Sequence, residues 1–399
     1  MIHAPLASTA RGSGRLAREK TEEAAVIGAQ HDTPPGTVPG VAERRVRLRQ
    51  SGISIGTLDT GPDNAITDVP GVLVGHATVV ADEPHAVRSG VTFVVPRDGG
   101  VWTDYAYAGS HVLNGNGEMT GLIWVEESGM LGSPIGITNT AQVGLVRDRL
   151  VHEAFRLGIE DGFHLPVVGE TWDGWLSTIE SFPVGESDVD AALASASSGP
   201  VAEGCVGGGT GMICHEFKGG IGTASRVVEV GGTEQVVGVL VQANYGARAD
   251  LRVDGVPVGR VIGVDQVPSP WEEAPNGGSI IVVIATDAPL LPGQCRRLAQ
   301  RATVGLGRVG GYGHDSSGDI FFAFATGNHL EAGRITARPV TTLPNEAMDP
   351  LFHAVADGTE ESILNALCAA VTTTGREGQV AHALPIDLMT SIVRSHQGD

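Results

Sequence analysis

The segment Pro275-Asn276-Gly277-Gly278-Ser279-Ile280-Ile281-Val282-Val283-Ile284-Ala285-Thr286 joins a polar, proline-containing loop to a strongly apolar run. Pro268, Pro270 and Pro275 interrupt regular structure before it, and Gly277-Gly278 provides a turn. The run that Ser279 opens is rich in β-branched residues and reads as a buried strand over 279–285. A serine at the start of a strand is ordinary; a serine after a glycine has a further chemical use. Glycine lacks a Cβ, so the main chain at Gly278 can strain and a hydroxyl can approach its carbonyl closely. Attack by Ser279 on that carbonyl gives an ester that water hydrolyses, leaving Ser279 with a free α-amine. Such an amine has a reference pKa of about 8, so near neutrality it can help deprotonate its own hydroxyl.

Residues 91–95, 121–125, 236–243 and 319–325 read as further buried strands, and 140–157, 294–306 and 361–373 as helices. The helix at 140–157 is the clearest. Thr140 can cap it, and Val143, Leu145, Val146, Leu150, Val151 and Phe155 form an apolar stripe opposite charged residues. Strands and helices mix without regular β-α-β alternation or internal repeats, which predicts an α+β fold in layers and not a doubly wound sheet.

The chain of 399 residues is 41% hydrophobic and 18% charged, which suits a globular protein and neither a disordered chain nor a membrane protein. No run approaches the ~20 apolar residues that span a bilayer. A net charge of −20 disfavours nucleic acid and membrane as partners, and favours cationic ligands such as free amines. Cys205, Cys214, Cys295 and Cys368 form no C-x-x-C pair and read as reduced, mostly buried thiols; a cytoplasmic enzyme is expected. Residues 1–50 carry arginines among Pro, Gly, Ala and Ser and have no apolar secretory core. They read as a poorly ordered extension before a single catalytic domain at 51–399.

Three motif matches lack the context their chemistry needs. Gly52-Ile53-Ser54-Ile55-Gly56 has G-x-S-x-G spacing, but an Arg-rich segment precedes it and a turn follows, where a nucleophile elbow needs strand and helix. Gly305-Leu306-Gly307-Arg308-Val309-Gly310 has G-x-G-x-x-G spacing after a helix instead of a strand. Gly207-Gly208-Gly209-Thr210-Gly211 with Lys218 suggests a phosphate loop, yet no G-K-[ST] is present. A glycine-rich loop packed tightly near a site is the better reading. The thirteen histidines show no H-E-x-x-H spacing, and His111, His215 and His314 near glycine-rich loops read as ordinary histidines. No metal and no cofactor are expected.

Several short motifs follow one another in a specific order. They are Ile66-Thr67-Asp68-Val69-Pro70-Gly71-Val72 with Gly75-His76, Asn114-Gly115-Asn116-Gly117-Glu118, Thr138-Asn139-Thr140 and Gly169-Glu170-Thr171. Residues 206–212 and 218–226, Ala243-Asn244-Tyr245-Gly246, Gly278-Ser279 and Ser316-Ser317-Gly318-Asp319 continue the series. Together they resemble the DmpA-type L-aminopeptidase/D-esterases and β-peptidyl aminopeptidases, the P1 peptidases, over about residues 51–395. The resemblance implies a four-layer α/β/β/α sandwich, self-cleavage into chains 1–278 and 279–399, and a homotetramer of such pairs.

The resemblance also implies roles. Ser279 is the nucleophile and processing residue, with Gly278 before the cut; Ser317 and Asp319 position and polarise it. Asn244 donates to the tetrahedral oxyanion, and Glu170 binds the substrate's free amine. Taken alone, Ser-Ser-Gly-Asp reads equally as a turn opening a strand, and Asn244 as a strand-ending residue before Gly246. A solvated surface Glu170 is disfavoured by the apolar Leu165, Val167 and Val168 ahead of it. Ser317 and Asp319, two apart on one strand, are expected to need an irregular backbone if both serve. Trp172 stands where the family commonly has a tyrosine whose hydroxyl helps hold the oxyanion; indole offers only an N–H.

The expected activity is release of amino-terminal residues from small peptides, amino-acid amides or esters through an acyl-enzyme on Ser279. Two alternatives belong to other classes. One is an ornithine acetyltransferase-like acyl transferase, against which Ser279 and Glu170 argue. The other is an unprocessed amine-binding protein that keeps only the fold.

Overall fold

The structure, a computed structural model, describes residues 45–98, 100–159, 163–271 and 277–398. Most of the extension expected over 1–50 lies outside the described residues. Leu48, however, is buried in the main core, so the packed body begins ahead of Ser51.

Two sheets face each other. The smaller has the order β1 (Leu73–Ala81), β2 (Val87–Val95), β5 (Ile135–Asn139), β6 (Val167–Thr171). The larger has the order β4 (Met130–Leu131), β3 (Asp104–Gly115), β12 (Ser316–Glu331), β11 (Gly277–Thr286), β10 (Thr233–Tyr245), β9 (Gly220–Val230). Pairs β5–β6 and β11–β12 are parallel. Two short ribbons, β7 (Ile213–Cys214) with β8 (Phe217–Lys218) and β13 (Thr373–Thr374) with β14 (Val380–Ala381), complete the strands described.

The strand read over 279–285 is β11, in the interior of the larger sheet. Being covered on both faces, it is apolar without alternation. Ile280, Val282 and Ile284 enter one core, and Ile281, Val283 and Ala285 enter another. The first core packs α4 (Pro292–Val309) and α5 (Asp349–Ala369) on the outer face of the larger sheet. The second lies between the sheets and takes Ile135, Ile137 and Val167 from the smaller one. On the far side, α2 (Val143–Arg156) and α3 (Glu186–Ala194) bring Val146, Leu150, Val189 and Ala192 onto Val91, Phe93 and Val168. The layers are α/β/β/α, as the resemblance implied.

Two elements differ from the sequence reading. Residues 121–125 form no strand and mostly belong to helix α1 (Leu122–Ser128). Gly121, with φ 75, turns the chain where a Cβ would meet the Leu165 carbonyl oxygen at 2.7 Å, and Ile123 is left 88% exposed. A short apolar run carries no period that distinguishes a buried strand from such a helix. The helix read over 361–373 is α5, displaced toward the N-terminus. Its acids Asp357, Glu360 and Glu361 look like a solvated end in sequence but are buried inside it. Glu361 meets Arg226 at 2.6 Å with both side chains fully buried.

Candidate active site

The register of β10, β11 and β12 sets Asn244, Ser279 and Gly318 in one row. Side chains alternate along a strand, so Ser279 shares the inter-sheet face with Ile281, and Asn244 shares it with Leu240. At the rim of the smaller sheet, β6 ends in Glu170 and Thr171. The free edge of β6 is taken by the segment after β3, where Met119 bridges to Gly169. Asn116, Thr140, Glu170, Trp172, Asn244 and Ser279 thereby line a single cavity of about 320 Å³.

At Gly278 the main chain has φ +126 and runs against β10. A Cβ there would come within 2.3 Å of the Asn244 carbonyl oxygen and 2.6 Å of the Tyr245 Cα. Glycine alone fits without displacing β10. Next in the chain, Ser279 is 7% exposed, and its Oγ accepts the Gly318 N–H at 3.1 Å.

Ser317 Oγ donates to Asp319 Oδ1 at 2.6 Å. The irregular backbone expected at this pair is not needed, because residues two apart on a strand share a face. The irregularity nearby falls on β3, where Leu113 is skipped in the pairing with β12. Alternation groups Ser317 and Asp319 with Phe321 and Ala323 on the helix-covered face, away from the Ser279 hydroxyl. What the pair adjoins is the main chain at the Gly278-Ser279 junction, since Ser317 pairs with Gly278. Burial pushes the Asp319 carboxyl up, opposed by the Ser317 hydrogen bond and the charge of His314.

The Asn244 carboxamide is held at both ends. Oδ1 accepts the Ile213 N–H at 2.8 Å, and Nδ2 donates to the Trp172 carbonyl at 3.0 Å. An amide nitrogen carries two hydrogens, so one remains for the cavity. Trp172 thus contributes through its main chain, while its ring is 51% exposed and lies over Gly174. The glycine loop at 207–211 encloses no phosphate cradle. Lys218 Nζ donates instead to the carbonyls of Met212 at 2.8 Å and Gly219 at 2.9 Å, which ties the loop beside Ile213.

Glu170 is 4% exposed and accepts the Glu118 N–H at 3.0 Å through Oε1 and the Thr140 hydroxyl through Oε2. Burial raises its pKa above the usual carboxylate range, and the two hydrogen bonds oppose that shift. Among the described residues the charge that bears on it is Glu118, of the same sign. A buried carboxylate that lines a cavity, with no cation beside it among the described residues, is suited to receive one. Thr140 is free to serve Glu170 because it is not the cap; Asn139 is, its Oδ1 accepting the Ala141 N–H at 2.9 Å. Sequence alone does not reveal that exchange of roles, and main-chain donors such as those of Ile213 and Gly318 leave no side-chain signal.

The histidines singled out stand apart from the cavity lining. His215 is wholly buried, donates through Nδ1–H to the Ala247 carbonyl at 2.9 Å, and burial pushes it down to about 4. It is neutral at physiological pH. His111 stacks on Phe321 at 6.0 Å between ring centroids.

The sequence matches Peptidase family S58 over residues 64–381. The chain belongs to this family. It is 45% identical over 354 residues to the β-peptidyl aminopeptidase BapA of Sphingosinicella microcystinivorans, covering 84% of this chain and 89% of that protein. A solved β-aminopeptidase from Burkholderia sp. superposes with a TM-score of 0.82 at 50% identity, over 88% of this chain and 99% of that one. The L-aminopeptidase D-Ala-esterase/amidase of Ochrobactrum anthropi gives a TM-score of 0.82 at 42% identity, again over 88% and 99%. Its structure is described as a prototype for the serine aminopeptidases and a variant of the Ntn-hydrolase fold. This S58 chain is accordingly a serine aminopeptidase of that fold, and the acetyltransferase and non-enzymatic alternatives fall away.

Proposed function

We propose that the chain cuts itself between Gly278 and Ser279 and then uses Ser279 to release amino-terminal residues from small peptides and amides. In the first step Ser279 Oγ adds to the Gly278 carbonyl carbon, the C–N bond breaks, and the hydroxyl proton passes to the leaving nitrogen, which becomes the free amine. Water then hydrolyses the ester, giving a Gly278 carboxylate and a free Ser279. The new amine takes the Ser279 hydroxyl proton, and Ser317 with Asp319 holds that amine from the helix-covered face. Asn244 Nδ2–H receives the developing oxyanion. A donor of this kind contributes on the order of 3 kcal/mol.

The observation that carries the aminopeptidase reading is Glu170, a buried carboxylate that lines the same cavity as Ser279 and has no cationic neighbour among the described residues. It receives the ammonium of an unblocked substrate and leaves the first carbonyl for Ser279. The cavity of about 320 Å³ admits a small residue. The likeness to a β-peptidyl aminopeptidase and a β-aminopeptidase supports β-aminoacyl groups among its substrates. Assembly of four processed pairs, and a cytoplasmic setting, belong to the same reading and are read by sedimentation and cell fractionation.

Denaturing electrophoresis with amino-terminal sequencing tests it. Wild type gives a fragment beginning Ser-Ile-Ile-Val, whereas Ser279→Ala stays one chain of 41.2 kDa and hydrolyses neither L-alanine nor β-alanine p-nitroanilide. An active Ser279→Ala protein, or an uncut active wild type, refutes the proposal.

A further inference from the structure

Of 26 lysines and arginines in the chain, only Lys20 and Lys218 are lysines. Lys218 is fully buried. Its Nζ donates to the carbonyls of Met212 at 2.8 Å, Gly219 at 2.9 Å and Gly209 at 3.4 Å. Three carbonyls around one nitrogen call for three hydrogens, which an ammonium has and a neutral amine does not. The planar fork of arginine does not suit such a converging set.

The Met212 carbonyl and the Ile213 N–H belong to one peptide group. Lys218 sits on its oxygen at 2.8 Å, and its N–H donates to Asn244 Oδ1 at 2.8 Å. A cation on the carbonyl polarises the peptide and strengthens its N–H as a donor. That donor in turn polarises the carboxamide and makes the Nδ2–H facing the cavity more acidic. We propose that Lys218 is a positioning residue for the oxyanion site, its charge transmitted through the 212–213 peptide to hold and polarise Asn244. This role rests on the reading of Asn244 as the oxyanion donor. The Trp172 carbonyl orients the amide from the other side, at 3.0 Å from Nδ2, so the two contacts divide the work.

The titratable groups facing Lys218 are the thiols of Cys205, from the loop ahead of the ribbon, and Cys214, from β7. Burial pushes the Cys214 thiol up to about 12 and lowers the pKa of Lys218 itself. The Lys218 charge is therefore lost, as pH rises, below the range of an ordinary lysine. An alkaline fall in kcat accompanies it.

Lys218→Met keeps the length of the side chain and removes the charge. In fully processed enzyme it lowers kcat for L-alanine p-nitroanilide about tenfold with KM within about twofold, a part of the roughly hundredfold that a whole oxyanion donor contributes. In an Asn244→Ala background the same change has no effect, because the path it acts through is gone. Wild type labelled with 15Nζ-lysine gives two side-chain signals, with Lys20 identified by Lys20→Arg. The Lys218 signal is an ammonium at neutral pH and titrates together with the alkaline fall in kcat, which decides the matter even where Lys218→Met does not fold. An unchanged kcat in Lys218→Met, an undiminished effect in the Asn244→Ala background, or a neutral amine at neutral pH overturns the inference. An Asn244→Ala enzyme with wild-type kcat overturns the oxyanion reading, and this inference with it.

Discussion

Replacing Glu170 with glutamine separates substrate binding from self-cleavage. The carboxylate is 4% exposed and lines the cavity, and its partners are the Glu118 N–H at 3.0 Å and the Thr140 hydroxyl. Glutamine keeps the shape; its carbonyl can still accept from Glu118, and its amide can donate to a rotated Thr140 hydroxyl. What it removes is the charge that we propose receives the substrate's ammonium. A buried charge-assisted contact of this kind is worth about 3 kcal/mol, or roughly a hundredfold in KM. The contact is made in ground state and transition state alike, so kcat changes little. The precursor presents no free amine to Glu170, so self-cleavage continues at the wild-type rate. Stability moves the opposite way. The folded pKa of Glu170 is raised by burial, so on going up in pH the unfolded chain ionises first and the native state loses stability until the folded pKa is passed. Glutamine abolishes that loss. Its Tm exceeds that of wild type at about pH 8, and the difference closes below the ordinary carboxylate range near 4. The assays are steady-state hydrolysis of L-alanine p-nitroanilide, electrophoresis of the precursor, and thermal melts at both pH values. A fully cut Glu170→Gln enzyme with wild-type KM refutes the assignment of the amine site.

Two further outcomes follow from the same geometry. In Gly278→Ala, a Cβ 2.3 Å from the Asn244 carbonyl oxygen at φ +126 must displace β10. Overpacking and the strained φ together cost about 3 kcal/mol, slowing self-cleavage roughly a hundredfold in a time course of band conversion. A wild-type rate in that variant refutes the need for glycine there. Trp172→Tyr leaves the carbonyl bond to Asn244 intact, so processing and Tm stay near wild type. The smaller ring at the cavity raises the kcat/KM ratio for leucine over alanine anilides about fivefold, and a tenfold loss of processing contradicts a main-chain role for residue 172.

Much of the architecture is written locally. The β-branched run from Ile280 to Ile284 can hardly be other than a strand covered on both faces, and the stripe Val143, Val146, Leu150 specifies a helix. At Gly278-Ser279 adjacent residues show only that a cut is chemically feasible, and the ordered motifs along the chain are what single out that bond. Gly121 to Val125 was ambiguous for want of a period, and α5 was misplaced because buried acids such as Glu361 look like surface until Arg226, 135 positions away, is brought to them. The site shows the same division. Residue types at Asn244, Glu170, Ser317 and Asp319 carry their chemistry in the sequence, but their directions do not. Only the pairing of β10, β11 and β12 decides that Asn244 shares a face with Ser279 while Ser317 and Asp319 stand on the other. Only the folded chain places the Ile213 N–H, the Trp172 carbonyl and the Thr140 hydroxyl on their partners, and Lys218 behind them. Main-chain groups are the same in every residue, so their use in a site is set by where the fold puts them and leaves no mark in the sequence.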